Sequence, residues 1–277
     1  MEQTTPMNTG KLPDFIVVGV QKCGTTALHG NLRKHPSLEI TPNFVDFGRG
    51  DRNTKETDCF TAWSRFTLEE YQGFFNDNGK LQGEVSPYYV SGRTLDKIQT
   101  LVPHAKLILI CREPVSRLES SFNHMQQFQS ETTLSNFTGW HQWSVQRSFE
   151  ENLQAEMGRV PDLEVSGPGV VRLGFYADIV QRILARFDSS QLKILVAEEY
   201  RQSPAATYRE IAQFLGVQDM PIAHREENVR QKTWRLLPEQ REMLHEIYRP
   251  ANQRFFELLG RDIPAWSASP VILNGGG

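Results

Sequence analysis

Apolar residues in this chain fall into short continuous runs separated by stretches with helical spacing. Phe15 to Val20 is an unbroken, β-branched run, as expected of a strand buried on both faces. Thr25 to His35 then reads as a helix that Pro36 ends, and the pair predicts a first βα unit. Leu81 to Ser86, closed by Pro87, Lys106 to Cys111 and Leu192 to Val196 are three further predicted strands. Helices are predicted over Thr67 to Phe75, where Thr67-Leu68-Glu69-Glu70 has a capping pattern, and over Leu95 to Leu101 before Pro103. Others start near Pro114, which suits a first helical turn, and span Val145 to Met157, Tyr176 to Phe187, and Ala205 to Leu215 with Gly216 at its end. The alternation predicts an α/β fold with a central parallel sheet flanked by helices. Residues 41–66 mix Gly, Asn, Asp and aromatics without a period, and read as a long loop lining a site. Residues 130–170 are polar, contain Gly167-Pro168-Gly169, and read as a second insertion. The expected plan is a flexible 1–11, a single domain over 12–266, and a flexible tail over 267–277.

Composition narrows the class. With 277 residues, 39% of them hydrophobic, the chain can bury a full core. A net charge of -3 gives no bulk attraction to nucleic acid, so any anion site must be a local cluster of Lys and Arg. No stretch approaches the roughly 18 apolar residues of a membrane span, and a soluble, cytoplasmic protein is expected. Cys23, Cys59 and Cys111 are odd in number and lack metal-ligand spacing, so they are expected as reduced thiols.

The chemistry starts where the first strand ends, at Gly19-Val20-Gln21-Lys22-Cys23-Gly24-Thr25-Thr26. Gly19 and Gly24 keep the spacing of a triphosphate loop, but Thr25 fills the slot where the lysine normally stands. The lysine lies inside the loop at position 22, where it can sit beside a bridging oxygen while backbone amides and the helix start hold phosphate. A cation there can neutralise charge on a leaving phosphate oxygen without a metal. Arg112 follows the Lys106 to Cys111 strand, where a triphosphatase would place an acid for magnesium. Ligands of open α/β sheets sit at the carboxyl edge, so Lys22 and Arg112 can face one crevice. Ser120, eight positions on, could share a second anion with Arg112.

Lys22 to Ala27 and Arg112 to Ser120 together resemble the PAPS-dependent sulfotransferases, in particular their bacterial and heparan-type branch. The likeness extends through Gly83 to Tyr89, Gly174 to Tyr176, Glu198 to Tyr200 and Phe214 to Gly216. It implies a P-loop-containing sulfotransferase architecture and transfer of a sulfuryl group from PAPS, leaving adenosine 3',5'-bisphosphate (PAP), with no metal. On that resemblance Lys22, Cys23, Gly24, Thr25, Thr26 and Ala27 hold the 5'-phosphosulfate end, and Arg112 and Ser120 the 3'-phosphate. Tyr176, Arg230 and Lys232 are further candidates for nucleotide contacts.

The acceptor end departs from the family. Its usual Lys-Glu-x-His-Phe-Phe segment corresponds to Asn43-Phe44-Val45-Asp46-Phe47, and the lysine often found after Glu84 is Val85. Asp46, Glu84 and His124 are the candidate general bases, in that order; an aspartate needs burial or a neighbouring acid to serve. The expected acceptor is a small molecule, such as a bacterial secondary metabolite, in a pocket shaped by Trp63, Phe66, Trp140, His141 and Trp143. A polysaccharide acceptor, a kinase or ATPase, and a non-catalytic nucleotide-binding protein are the competing readings.

Overall fold

The computed structural model describes residues 11–41, 56–61, 64, 66–126, 148–157, 169–219 and 234–267. Five strands form one all-parallel sheet: β1 (Phe15–Gly19), β2 (Leu38–Thr41), β3 (Leu81–Val85), β4 (Lys106–Cys111) and β5 (Leu192–Val196). Their order is β2-β3-β1-β4-β5. β1 is central and completely buried, with Phe15 opposite Gly83 on one side and Lys106 on the other. That position explains its unbroken apolar run, since both faces are covered. The β2 strand was not foreseen. Leu38 and Ile40 are buried with Glu39 between them, and four residues show too short an alternation to signal a strand until β3 is there to pair with.

The helices are α1 (Thr25–Leu32), α2 (Leu68–Gln72), α3 (Gly92–Leu101), α4 (Pro114–Gln126), α5 (Phe149–Met157), α6 (Tyr176–Leu184), α7 (Ala197–Gln202), α8 (Pro204–Leu215), α9 (Pro238–Leu259) and α10 (Pro264–Ser267). At α2 both halves of the capping box form: the Glu70 amide donates to Thr67 Oγ1 over 3.2 Å, and the Thr67 amide to Glu70 Oε2 over 2.8 Å. Three helices escaped the sequence pattern. α7 is only six residues long and α10 only four, and α9 contains Pro250, which normally ends a helical run. Of the predicted α5, residues 145–147 lie outside the described residues.

Two clusters of buried side chains fix the site. One covers both faces of the sheet and includes Phe15, Val17, Leu107, Leu109 and Tyr176. The other joins α4, α5 and α9 through Val115, Leu118, Phe122, Phe149, Leu244 and Tyr248. α4 is therefore held along its length. All three cysteines are free thiols. Among the described residues, no helix is long and apolar enough to cross a membrane.

Topology selects the crevice. After β1 the chain moves to β2 on one side, and after β4 it moves to β5 on the other, so the connections diverge between β1 and β4. Ligands of doubly wound sheets lie at that switch point, outside the carboxyl ends of the strands.

Candidate functional site

The loop after β1 is set by close approach and left-handed backbone. A Cβ on Gly19 would come within 2.9 Å of Val90 Cγ1, so only glycine lets β1 pass the exit of β3 at this point. Val20 N donates to Ile110 O over 3.0 Å and carries the loop along β4. Lys22 then takes φ 69° and Gly24 φ 102°. Gly24 bears the second at little cost, whereas at lysine this conformation is uncommon and is found where surrounding structure enforces it. Gly24 is the N-cap of α1, supplies no side-chain cap, and no acid occupies the first turn. The amides of that turn and the positive end of the helix are thus left for an anion.

Arg112 closes the other wall. Its Nη1 donates to Lys22 O over 3.3 Å, which joins two elements 90 positions apart in the chain. Its Nε is buried without a hydrogen-bond partner among the described residues. The Arg112 backbone is held from behind: Tyr176 donates its hydroxyl hydrogen to Arg112 O over 2.7 Å and accepts from Arg112 N over 3.3 Å. The same hydroxyl lies 3.6 Å from Cys23 Sγ. Tyr176, expected as a nucleotide contact, is 1% exposed and its hydroxyl is turned to the Arg112 backbone. It braces the arginine. Burial also pushes the Cys23 thiol up to about 11, so that side chain is an inert part of the core. The Cys23 amide is bonded to Val20 O over 3.1 Å. Thr25 is buried, Thr26 exposed, and Ala27 and Ser120 half-buried, Ser120 lying on α4 about two turns from its start.

Sequence reasoning missed Gln21. It is buried, donates through Nε2 to the Tyr88 hydroxyl over 2.5 Å, and accepts from Ser121 Oγ over 2.8 Å. One side chain therefore ties the residue before Lys22 to the exit of β3 and to α4. Its only sequence signal was its place beside Lys22. Gln21→Ala removes its hydrogen bonds to the Tyr88 and Ser121 hydroxyls and is expected to cost about 1–3 kcal/mol of stability. Denaturant unfolding checks this, and an unchanged midpoint would deny the strut.

At the acceptor end, Glu84 lies on β3 and is fully buried. Thr57 donates its hydroxyl to Glu84 Oε2 over 2.6 Å and lies 3.1 Å from the Tyr89 hydroxyl. Burial raises the carboxyl to about 7, opposed by hydrogen bonding from Thr57. Between roughly pH 4.5 and 7 the native state then holds a proton that the unfolded chain releases, so stability falls as pH rises through that window. Glu156, buried on α5 and likewise raised to about 7, acts in the same direction. Glu84→Gln is expected to remove about half of the loss these two carboxyls cause, up to about 3 kcal/mol each at pH 8. Melting temperatures at pH 5 and pH 8 test it; an unchanged pH slope would contradict it.

His124 is half-buried on α4, one turn beyond Ser120. Asp46, Arg230 and Lys232 lie outside the described residues, as do Trp63, Trp140, His141 and Trp143. Phe66 packs edge-on against Phe74, with ring centroids 5.2 Å apart.

A parallel sheet carries an uncapped, lysine-bearing glycine loop at its switch point and an arginine at the neighbouring strand end, an arrangement whose amides and cations suit an anionic group. The chain belongs to the sulfotransferase domain family, whose model matches residues 12–236. It is 29% identical over 217 residues to bifunctional heparan sulfate N-deacetylase/N-sulfotransferase 4 of Mus musculus, covering 74% of this chain and 22% of that one. With enzyme 2 of the same name from Homo sapiens, identity is 28% over 215 residues, covering 75% and 22%. The chain thus spans about a fifth of the length of these curated relatives. A sulfotransferase structure from Alicyclobacillus acidocaldarius superposes with a TM-score of 0.68 at 25% identity, covering 93% of this chain and all of that one.

Proposed function

We propose that the chain transfers a sulfuryl group from PAPS to a hydroxyl or amine of a small-molecule acceptor, releasing PAP. The donor reading is carried by the bond from Arg112 Nη1 to Lys22 O, which puts two cationic elements at one crevice. The uncapped start of α1, the left-handed loop and the unpartnered Nε of Arg112 suit a ligand with phosphate at two ends. PAPS brings an activated sulfuryl group attached to its 5'-phosphate. On this reading Lys22 neutralises charge on the bridging oxygen, while the first-turn amides of α1 hold the 5' end. Arg112 and Ser120 grip the 3'-phosphate, and Arg230 and Lys232 belong to the same proposal. Gln21 and Tyr176 hold the loop and Arg112 in place from behind.

For the base, Glu84 is a poor choice, because its carboxyl is enclosed by Thr57, Tyr71 and Tyr89 and anchors residues 56–61. Asp46 and His124 remain. The net charge of -3 supports a small acceptor over a long polyanionic one, and a cytoplasmic location is part of the same proposal. The second reading, a glycan amine, is favoured by relatives named for heparan sulfate N-sulfotransferase. Incubation with radiolabelled PAPS, a metabolite extract and an N-desulfated heparan-type glycan separates the two. Label on a metabolite supports the first and label on the glycan the second. Magnesium-dependent ATP hydrolysis with no label on either would overturn both.

A further inference from the structure

The peptide between Arg112 and Glu113 is clamped on both sides by residues far along the chain. Its carbonyl, Arg112 O, accepts the Tyr176 hydroxyl over 2.7 Å, and its N–H, on Glu113, donates to Glu198 Oε1 over 3.1 Å. Glu198 lies in the first turn of α7, and Arg201 of the same helix stands 3.9 Å from that oxygen. The following residue offers no substitute, because Glu199 is paired through both oxygens with Arg261, at 2.6 and 2.8 Å.

The two clamps meet at one side chain. Trp266, on α10, donates through Nε1 to Glu198 Oε2 over 3.0 Å. Its ring also lies against Tyr176, with centroids 5.5 Å apart, and stacks on Phe255 of α9 at 5.5 Å and 13°. All three rings are buried. The indole face thus packs the tyrosine, while its N–H, which burial obliges to find an acceptor, fixes the carboxylate. Glu198 has one oxygen for each donor, so the Glu113 amide and the indole do not compete.

We propose that Trp266 is a positioning residue for Arg112, acting through Glu198 and Tyr176, so that α10 helps to set the aim of the arginine at the end of β4. The inference rests on the donor reading above, in which Arg112 grips the 3'-phosphate. Trp266 touches neither nucleotide nor acceptor on this account. The clamped peptide carries the Arg112 Cα, so a tilt there is magnified along the side chain to the guanidinium, whose contacts depend on geometry.

The test is calorimetry of PAP against the whole chain and its Trp266→Phe, Glu198→Gln, Arg112→Ala and Trp266→Phe/Arg112→Ala variants. Trp266→Phe keeps an aromatic ring and removes the N–H, and Glu198→Gln turns one of two acceptors into an NH2 group facing a donor. Each is expected to weaken PAP binding about fivefold, part of what losing Arg112 costs. In the Arg112→Ala background, Trp266→Phe should cost nothing further, because the group it aims is gone. A merely structural role would lower the melting temperature and leave the affinity of the folded chain unchanged. Unchanged affinity in either folded single variant, or a loss from Trp266→Phe that persists beside Arg112→Ala, would overturn the positioning role and leave the donor reading standing. A wild-type chain that does not bind PAP would overturn the donor reading and this inference with it.

Discussion

Lys22→Ala is expected to lower the turnover of sulfate transfer by about 10²- to 10³-fold, the range seen when one preorganised group facing developing charge is removed. Affinity for PAP should change by no more than about fivefold, because the first-turn amides of α1 and Arg112 still hold the phosphates. The contrast follows from position. Lys22 lies inside the loop, between β1 and the N-cap Gly24, and on the proposed donor reading charge builds on the bridging oxygen beside it only as the sulfuryl group departs. Its left-handed backbone supplies a control. Lys22→Gly relieves the cost of φ 69° that Ala retains, so it should be the more stable variant and yet equally slow. Turnover close to wild type in either variant would remove Lys22 from the mechanism.

Arg112→Ala carries the second largest effect, and it should fall on binding. The substitution removes the counter-ion proposed for the 3'-phosphate and the bond from Nη1 to Lys22 O. A charge-assisted hydrogen bond of this kind is worth about 1.5–3 kcal/mol, so affinity for the bisphosphate should drop about 10- to 100-fold. Turnover at saturating donor should fall less than in Lys22→Ala. Arg112→Lys keeps the charge but not the fork, and should restore only part of the loss. Bisphosphate affinity equal to wild type in Arg112→Ala would place the nucleotide elsewhere.

The parts of the fold written in buried strands were legible because strands covered on both faces read as continuous apolar runs, as in β1 and β4. β2 was not, because its four residues gain their meaning from pairing with β3. α9 was hidden by Pro250, which local preference counts against a helix that packing nonetheless sustains. The loop after β1 and the start of α4 were legible through glycine spacing and through Pro114 behind Arg112, both local signals. Gln21 was not. Its partners Tyr88 and Ser121 are 67 and 100 positions away, and a contact made only by folding leaves no pattern along the chain. Tyr176 was noticed for the right neighbourhood, but its hydroxyl reaches the Arg112 backbone from within the core. The enclosure of Glu84 was equally out of reach, since Thr57 closes over it from 27 positions upstream.

The crevice between Lys22 and Arg112 is proposed to take a nucleotide by phosphates at both ends, with no metal to hold them. Calorimetry of PAP and of ATP, each with excess chelator and then with magnesium, tests this most directly. The bisphosphate should bind in chelator, more tightly than ATP, with an affinity that magnesium does not raise. ATP binding that requires magnesium, together with no measurable binding of the bisphosphate, would contradict it.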